Sequence, residues 1–272
     1  MTAAPLGPGQ LNAIDHGGSG RPVVLIHGWP LSGKAWEKQV PALIAAGHRV
    51  ITYDRRGFGL AEKPTEGFDY DTLAADLDAI LTAMDLRDVT LVGFSMGGGE
   101  VARYIRNHGE DRLRAAVFAS AVTPCLMQSE NNPDGPLTKE AAGEMEQGLR
   151  DGRDAFFPQF VENFYSVDGD LKASAEECEQ AVTLCNQSDQ SAALGCMEAF
   201  GTTDFREDLE AVRVPVLVIH GDSDAIVPLE GSGARTYHAI PDSQFFTIKG
   251  APHGCNVTHS EEFNIALLEF LR

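Results

Sequence analysis

The feature that most constrains this chain is the pentapeptide Gly93–Gly97, in which Ser95 has a glycine two residues away on each side. An apolar segment ending at Val92 precedes it, and a helix-like stretch follows from Gly98. A serine between a strand and a helix occupies a tight turn, and glycines leave room where side chains would collide. The pattern therefore predicts a strand–turn–helix unit that exposes the Ser95 hydroxyl beside helix amides.

Short apolar segments alternate with helix-like segments on both sides of this turn. Such alternation predicts an α/β fold: a mostly parallel central sheet with helices on both faces, its strands ending at one edge where sites form. The predicted strands are 22–27, 49–53, 89–92, 114–119, 214–220 and 244–248, and the predicted helices are 36–46, 70–84, 98–107, 231–240 and 261–271.

Residues 123–205 interrupt the alternation with an Asn-Asn-Pro-Asp-Gly-Pro turn and with acidic, Phe-rich helical stretches that contain no convincing strand. We predict a helical cap over the sheet edge, inserted into a core domain made of residues 1–122 and 206–272. Such a cap would wall a substrate pocket. The alternative is a packing insertion that makes no contact with substrate.

Composition narrows the classes of partner. The net charge of −19 disfavours nucleic acid and anionic membranes, which need basic patches. No apolar run is long enough to cross a bilayer, and Met1–Gln10 lacks the basic start and apolar core of a signal peptide. The five cysteines, odd in number and without C-x-x-C spacing, predict a reduced cytoplasmic protein without a zinc site. A bridge among the three cysteines in 178–196 stays open.

A serine becomes a nucleophile only when a base takes its proton and an acid orients that base. His253 follows the last predicted strand, and Asp222 and Asp224 follow the preceding one. We predict Asp224 as the orienting acid, because Asp222 abuts a glycine turn and suits backbone capping. The chain order Ser95, Asp224, His253 is that of an α/β hydrolase. As a metal site, the two aspartates lack further ligands nearby.

Two backbone amides are predicted to stabilise the oxyanion: that of Met96, which follows the serine, and that of Trp29 in the loop after the first strand. Pro30 restricts Trp29 to an extended conformation, which fixes its carbonyl. The Trp29 ring can be ordinary core at the same time. Candidate pocket residues, for which ordinary core packing is the alternative, are Phe94, Pro30, Phe156, Phe157, Phe160, Phe200 and Ile226.

Together the motifs resemble the cofactor-free haloperoxidases, also called aryl esterases or perhydrolases, of the α/β-hydrolase superfamily. The resemblance implies the triad and oxyanion amides named above, without haem or metal. It also implies that an ester or carboxylic acid acylates the serine, and that hydrogen peroxide then releases a peracid able to oxidise halide. Pro30 is similar to the proline of the better perhydrolases. The motifs are His27–Gly33 with Trp36, Tyr53–Gly59, Gly93–Glu100, Asn132–Gly135 and Gly250–Gly254.

Other functions stay open on the same fold. The triad would equally serve an amide, lactam or carbon–carbon bond hydrolase, because the cap decides the substrate. A ligand-binding receptor without turnover is the alternative from another class. Dehalogenase and epoxide hydrolase chemistry is disfavoured, since those relatives carry an aspartate where Ser95 stands. The resemblance also implies a possible homo-oligomer with small-molecule partners.

Overall fold

The computed structural model describes residues 3–272, and a sheet runs through its centre. The strands are β1 (Ile14–Asp15), β2 (Pro22–Ile26), β3 (Arg49–Thr52), β4 (Val89–Phe94), β5 (Leu113–Ala119), β6 (Ser166–Val167), β7 (Asp170–Leu171), β8 (Val216–Gly221) and β9 (Gln244–Ile248). Seven of them form one sheet in the order β1-β3-β2-β4-β5-β8-β9. Every neighbouring pair is parallel except β1 with β3.

The helices connect these strands. They are α1 (Val40–Ala45), α2 (Tyr70–Ala83), α3 (Met96–His108), α4 (Lys139–Tyr165), α5 (Ala175–Asn186), α6 (Gln190–Thr202), α7 (Arg206–Leu209), α8 (Gly233–Ala239), α9 (Cys255–Thr258) and α10 (Ser260–Phe270). Two short 3₁₀ turns lie at Gly33–Trp36 and Leu229–Gly231. The mostly parallel sheet with connecting helices confirms the predicted α/β-hydrolase fold.

One predicted helix differs in the structure. The segment predicted as a single helix over 36–46 consists of the 3₁₀ turn ending at Trp36 followed by α1 from Val40. Pro41 explains the break, because proline donates no amide hydrogen and its ring collides with the carbonyl four residues earlier. In the first turn of a helix neither property has a cost, so α1 begins there.

The region predicted as a strand-free cap also differs, because β6 and β7 form a small antiparallel hairpin. Asp168 and Gly169, both with positive φ (50° and 82°), make its turn. An Asp-Gly pair is a strong signal for such a two-residue turn. Helix α4 is interrupted at Gly152, where φ is −175° and ψ is 82°. The boundaries 123–205 for a separate cap stay a prediction.

The buried core follows the central strands, and β4 and β8 are buried along their whole length. All five cysteines are free, and four of them are buried. Within residues 3–272, no helix is both long enough and apolar enough to span a membrane. Of the N-terminal segment 1–10, residues 1 and 2 lie outside the described part of the chain.

Candidate active site

Ser95 occupies the turn between β4 and α3 with φ 54° and ψ −118°, a left-handed conformation that is rare for residues other than glycine. Its amide donates to the Ala119 carbonyl at 2.8 Å, which fixes the turn against β5. A Cβ on Gly97 would lie 2.6 Å from the Ile26 carbonyl oxygen, and one on Gly93 would collide with the Gly97 carbonyl. The two glycines are therefore a steric requirement of this turn.

Two loops bring a histidine and an aspartate to the serine. His253, after β9, has its Nε2 3.0 Å from Ser95 Oγ, and its Nδ1 is 2.7 Å from Asp224 Oδ2. All three residues are buried, at 6% exposure or less. The phenyl rings of Phe94 and Phe164 pack against the imidazole, with centroids 5.2 and 4.9 Å away. We call Ser95, Asp224 and His253 the triad.

The carboxylate of Asp224 is charged despite its burial. Burial by itself would raise its pKa, but the charge of His253 and hydrogen bonds from His220 and His253 hold the pKa well below its usual range. Asp222 has a structural role instead. Its Oδ1 accepts a hydrogen bond from the Gly250 amide at 2.6 Å, which links the loop after β8 to the loop after β9.

The backbone amides of Trp29 and Met96 have no hydrogen-bond acceptor within residues 3–272. The Met96 carbonyl accepts from the Tyr70 hydroxyl at 3.0 Å, which fixes the far side of that residue. A Cβ on Gly28 would lie 2.8 Å from the Phe94 ring and 3.1 Å from Ser95 Cβ, so the loop after β2 passes directly beside the nucleophile.

A buried polar network supports that loop. Arg55 donates from Nη2 to the His27 carbonyl at 2.7 Å and from Nε to Glu100 at 2.9 Å. His27 Nε2 accepts from the Arg55 amide at 2.9 Å, and its Nδ1 lies 2.8 Å from the Gly28 carbonyl. The acceptor role of Nε2 puts the imidazole hydrogen on Nδ1. The network is thus satisfied without using the Trp29 amide.

The Trp29 ring contacts helices α4 and α6. Its Nε1–H donates to the Ala193 carbonyl in α6 at 2.9 Å. Four phenyl rings of α4 and α6 meet the indole at steep angles, with centroids 5.1–6.3 Å away. The side chain is therefore part of the core, the alternative reading of this residue.

A cavity of about 350 Å³ opens on Ser95 and His253. Its wall includes the rings of Phe156, Phe160 and Phe200, which we call the aromatic roof. Among the described residues that line it, none is Asp, Glu, Lys or Arg. A larger cavity of about 500 Å³ lies between α6 and the first part of α4, and no member of the triad lines it.

The predicted pocket residues divide into two groups. Phe156, Phe160, Phe200 and Ile226 line the 350 Å³ cavity. Three others do not, which corrects the prediction: Phe94 packs behind His253, Pro30 is buried in its loop, and Phe157 is fully buried beneath Arg153 and the Trp29 ring. Phe156 and Phe157 are consecutive residues of α4 and therefore point in different directions.

A rival nucleophile beside the triad is inert. Cys255 follows His253 by two residues and is fully buried. Burial raises the pKa of its thiol to about 12, so the reactive thiolate does not form near neutral pH.

His220 is a contact that sequence reasoning missed. It is the second-last residue of β8, and its Nε2 lies 3.2 Å from Asp224 Oδ2. The spacing of four residues before Asp224 was visible in the sequence. The contact was missed because nothing in the sequence around a histidine at the end of a strand indicates that the following loop folds back onto it.

The comparisons with known proteins agree with this architecture. A family model described as alpha/beta hydrolase fold matches residues 21–260. The chain is 45% identical to a putative non-heme chloroperoxidase of Synechocystis sp., over 94% of this chain and 92% of the relative. It is 34% identical to the bifunctional esterase/perhydrolase DCH of Acinetobacter calcoaceticus, over 95% and 94%.

A solved structure is also similar. The crystal structure of a bromoperoxidase from Bacillus anthracis superimposes with a TM-score of 0.93 and 51% identity, covering 95% of this chain and 94% of that one. Such agreement over nearly the full length goes beyond the fold alone. The chain therefore belongs to the α/β-hydrolase family, in the group that contains the non-haem haloperoxidases and esterase/perhydrolases.

Proposed function

We propose that this protein is a serine hydrolase that cleaves small aryl or short-chain carboxylic esters through an acyl-enzyme on Ser95, and that it also uses hydrogen peroxide as a perhydrolase. The observation that carries the proposal is the relay of 3.0 Å from Ser95 Oγ to His253 Nε2 and 2.7 Å from His253 Nδ1 to Asp224 Oδ2. Two unused amides stand beside the relay. A non-catalytic protein would need neither the relay nor the two amides.

In the first half-reaction, His253 Nε2 takes the Ser95 hydroxyl proton while Oγ attacks the ester carbonyl carbon. The negative charge that develops on the carbonyl oxygen is held by the Trp29 and Met96 amides. His253 then gives its proton to the leaving alkoxide or phenoxide, the carbon–oxygen bond breaks, and the acyl-enzyme remains. Asp224 stabilises the imidazolium throughout.

In the second half-reaction, water or hydrogen peroxide attacks the acyl carbon after losing a proton to His253. The bond to Ser95 Oγ breaks, and Oγ takes back that proton. Water yields a carboxylic acid, and peroxide yields a peracid. The released peracid then transfers its terminal oxygen, with the proton on it, to a halide ion, giving hypohalous acid and the carboxylate, and this step needs no haem or metal.

The Trp29 carbonyl is our candidate for favouring peroxide over water. Among the hydrogen bonds within residues 3–272, none uses this carbonyl as an acceptor. Pro30 limits the backbone of Trp29 to extended conformations and so limits where the oxygen points. A peroxide bound at the acyl carbon has a second hydroxyl that can donate to it. An unchanged ratio of perhydrolysis to hydrolysis in Pro30→Leu would refute this role.

The cavity supports a small uncharged substrate. Its volume of about 350 Å³ suits an aryl or short acyl group, and the absence of charged side chains among its described lining residues makes binding a charged group costly. The partners proposed are therefore esters, carboxylic acids in their uncharged form, and peroxide. A cytoplasmic location is also proposed, which the five free cysteines support.

The test compares p-nitrophenyl acetate hydrolysis with the perhydrolysis of acetic acid in the wild type and in Ser95→Ala. We expect the wild type to do both, and the variant to lose both by about 10⁴-fold or more. A fluorophosphonate should label the wild type and leave the variant unlabelled. Hydrolysis that persists in Ser95→Ala would overturn the proposal.

A further inference from the structure

A second histidine, His220, contacts the triad carboxylate. His220 lies in β8, and its side chain has no exposed surface. Its Nε2 is 2.8 Å from the Val227 carbonyl oxygen and 3.2 Å from Asp224 Oδ2. The mechanism set out above makes no use of this imidazole, although burying a polar ring has a cost unless its polar atoms are paired.

The position of the ring hydrogen follows from these contacts. A carbonyl oxygen only accepts hydrogen bonds, so Nε2 carries the hydrogen. Nδ1 is buried and has no partner within residues 3–272. On that side the ring abuts Gly233, where a Cβ would collide with Nδ1. His220 therefore has one hydrogen to offer, shared between the Val227 carbonyl and the Asp224 carboxylate.

With His220 included, each oxygen of the Asp224 carboxylate has two nitrogen donor groups within 3.2 Å. Oδ1 accepts from the amides of Ile226 at 2.9 Å and Val227 at 2.8 Å. Oδ2 accepts from His253 Nδ1 at 2.7 Å and faces His220 Nε2 at 3.2 Å. A buried carboxylate needs such partners to keep its charge, and four donors match its lone pairs.

We propose that His220 is a positioning residue of the triad: by donating to Asp224 Oδ2 and to the Val227 carbonyl, it holds the carboxylate in the orientation that faces His253. This inference rests on the proposed function. His220 touches neither substrate nor the reacting atoms, so it acts only through Asp224. Its second acceptor, the Val227 carbonyl, ties the loop that carries Asp224 back onto β8.

Two substitutions of nearly equal size separate donation from filling space. His220→Gln can place an amide N–H where Nε2 stands, whereas His220→Met fills similar volume and donates nothing. We expect kcat for p-nitrophenyl acetate to fall about tenfold in His220→Met and less than threefold in His220→Gln, with KM changed little in both. Equal kcat values in the two variants would overturn the inference.

The pH dependence of kcat/KM should also change in His220→Met, in a way that a general loss of structure would not produce. The titratable groups that face Asp224 are His253, His220 and Cys255. Without the His220 donor, the carboxylate attracts the His253 imidazolium more strongly, so the acidic limb of kcat/KM should move up by about half a pH unit in His220→Met. An acidic limb that stays in place, or moves down, counts against the inference.

A measurement on the wild type covers the case in which His220→Met does not fold. Nitrogen–proton NMR of protein labelled with ¹⁵N-histidine reports which ring nitrogen carries the hydrogen, and comparison with His220→Gln assigns the signal. We expect the hydrogen on Nε2; a hydrogen on Nδ1 would end the proposal. If instead Ser95→Ala keeps its esterase activity, the proposed function fails, and the NMR result still stands on its own.

Discussion

The triad and the aromatic roof meet at one cavity, yet different forces hold them. Directional hydrogen bonds of 2.7 and 3.0 Å fix the triad, and each member sits on a turn whose backbone is itself bonded. The roof is held by ring packing, with Phe160 and Phe200 centred 5.1 and 5.7 Å from the indole of Trp29. Ring packing tolerates changes of shape that hydrogen bonds do not. From this contrast we expect the reaction to depend on the core strands and their loops, and the choice of substrate to depend on α4 and α6.

The largest effect should come from the triad. Asp224→Asn keeps the size of the side chain but presents an amide where the carboxylate accepts from two histidines, so the His253 hydrogen is no longer held on Nδ1. We expect kcat for p-nitrophenyl acetate to fall about 10⁴-fold. Asp222→Asn is the matched control, because its oxygen can still accept from the Gly250 amide; its kcat should stay within about twofold of wild type. Comparable losses in both variants would contradict the assignment of Asp224.

Two neighbouring phenylalanines divide the roof from the core beneath it. Phe157 is fully buried and does not line the cavity, so Phe157→Ala should reduce the free energy of unfolding by about 3–5 kcal/mol. Phe156 is half-buried and does line it, so Phe156→Ala should cost less than about 2 kcal/mol and should raise KM for p-nitrophenyl acetate. Urea unfolding and steady-state kinetics measure the two effects. The reverse ranking of stabilities would mean that α4 is rotated relative to this structure.

The smallest expected effect is the loss of stability at acidic pH that comes from His27, in the loop after β2. Burial, and next to it the charge of Arg55, hold the pKa of His27 well below its ordinary value of 6.5. Between pH 6.5 and the lower pKa of the folded state, His27 is protonated in the unfolded chain but not in the folded chain. The free energy of unfolding therefore decreases as the pH falls from 6.5 toward the folded pKa. We expect a slope that approaches about 1.4 kcal/mol per pH unit at about one pH unit below 6.5.

Urea unfolding over this pH range measures the slope. His27→Gln should flatten it, whereas the same change at the exposed His238 should leave it as in the wild type. Identical slopes in all three proteins would show that other groups dominate the acid response. The uncharged form of His27 would then not contribute measurably to the stability of the loop that carries the Trp29 amide.

The triad could be predicted from the sequence because each member belongs to a short motif next to a strand. Ser95 has its glycines, and His253 and Asp224 follow consecutive strands whose carboxyl ends meet at one edge of a parallel sheet. Local pattern and sheet topology together therefore bring these residues close. The same reasoning recovered β9 at its observed limits, 244–248.

The three phenylalanines of the roof were among the predicted pocket residues, but the sequence could not separate them from Phe157, which does not line the cavity. Whether Phe156 or Phe157 faces the cavity depends on the rotation of α4 about its axis, and the helix is interrupted at Gly152 only four residues before Phe156. No local pattern sets the phase after such a break. The contact from Trp29 to Ala193 joins residues 164 positions apart, and that separation hides it from any motif.

The hydrogen bond from the Trp29 indole to the Ala193 carbonyl has a consequence for protein engineering. One residue therefore carries the proposed oxyanion amide in its backbone and contacts α6 through its ring. Transplanting α4–α6 from a relative to change substrate range would replace the acceptor and the rings around the indole together. A chimera should therefore take the backbone around position 193 and the ring at position 29 from the same parent protein. We expect a chimera that separates them to lose turnover even where its substrate pocket has changed as intended.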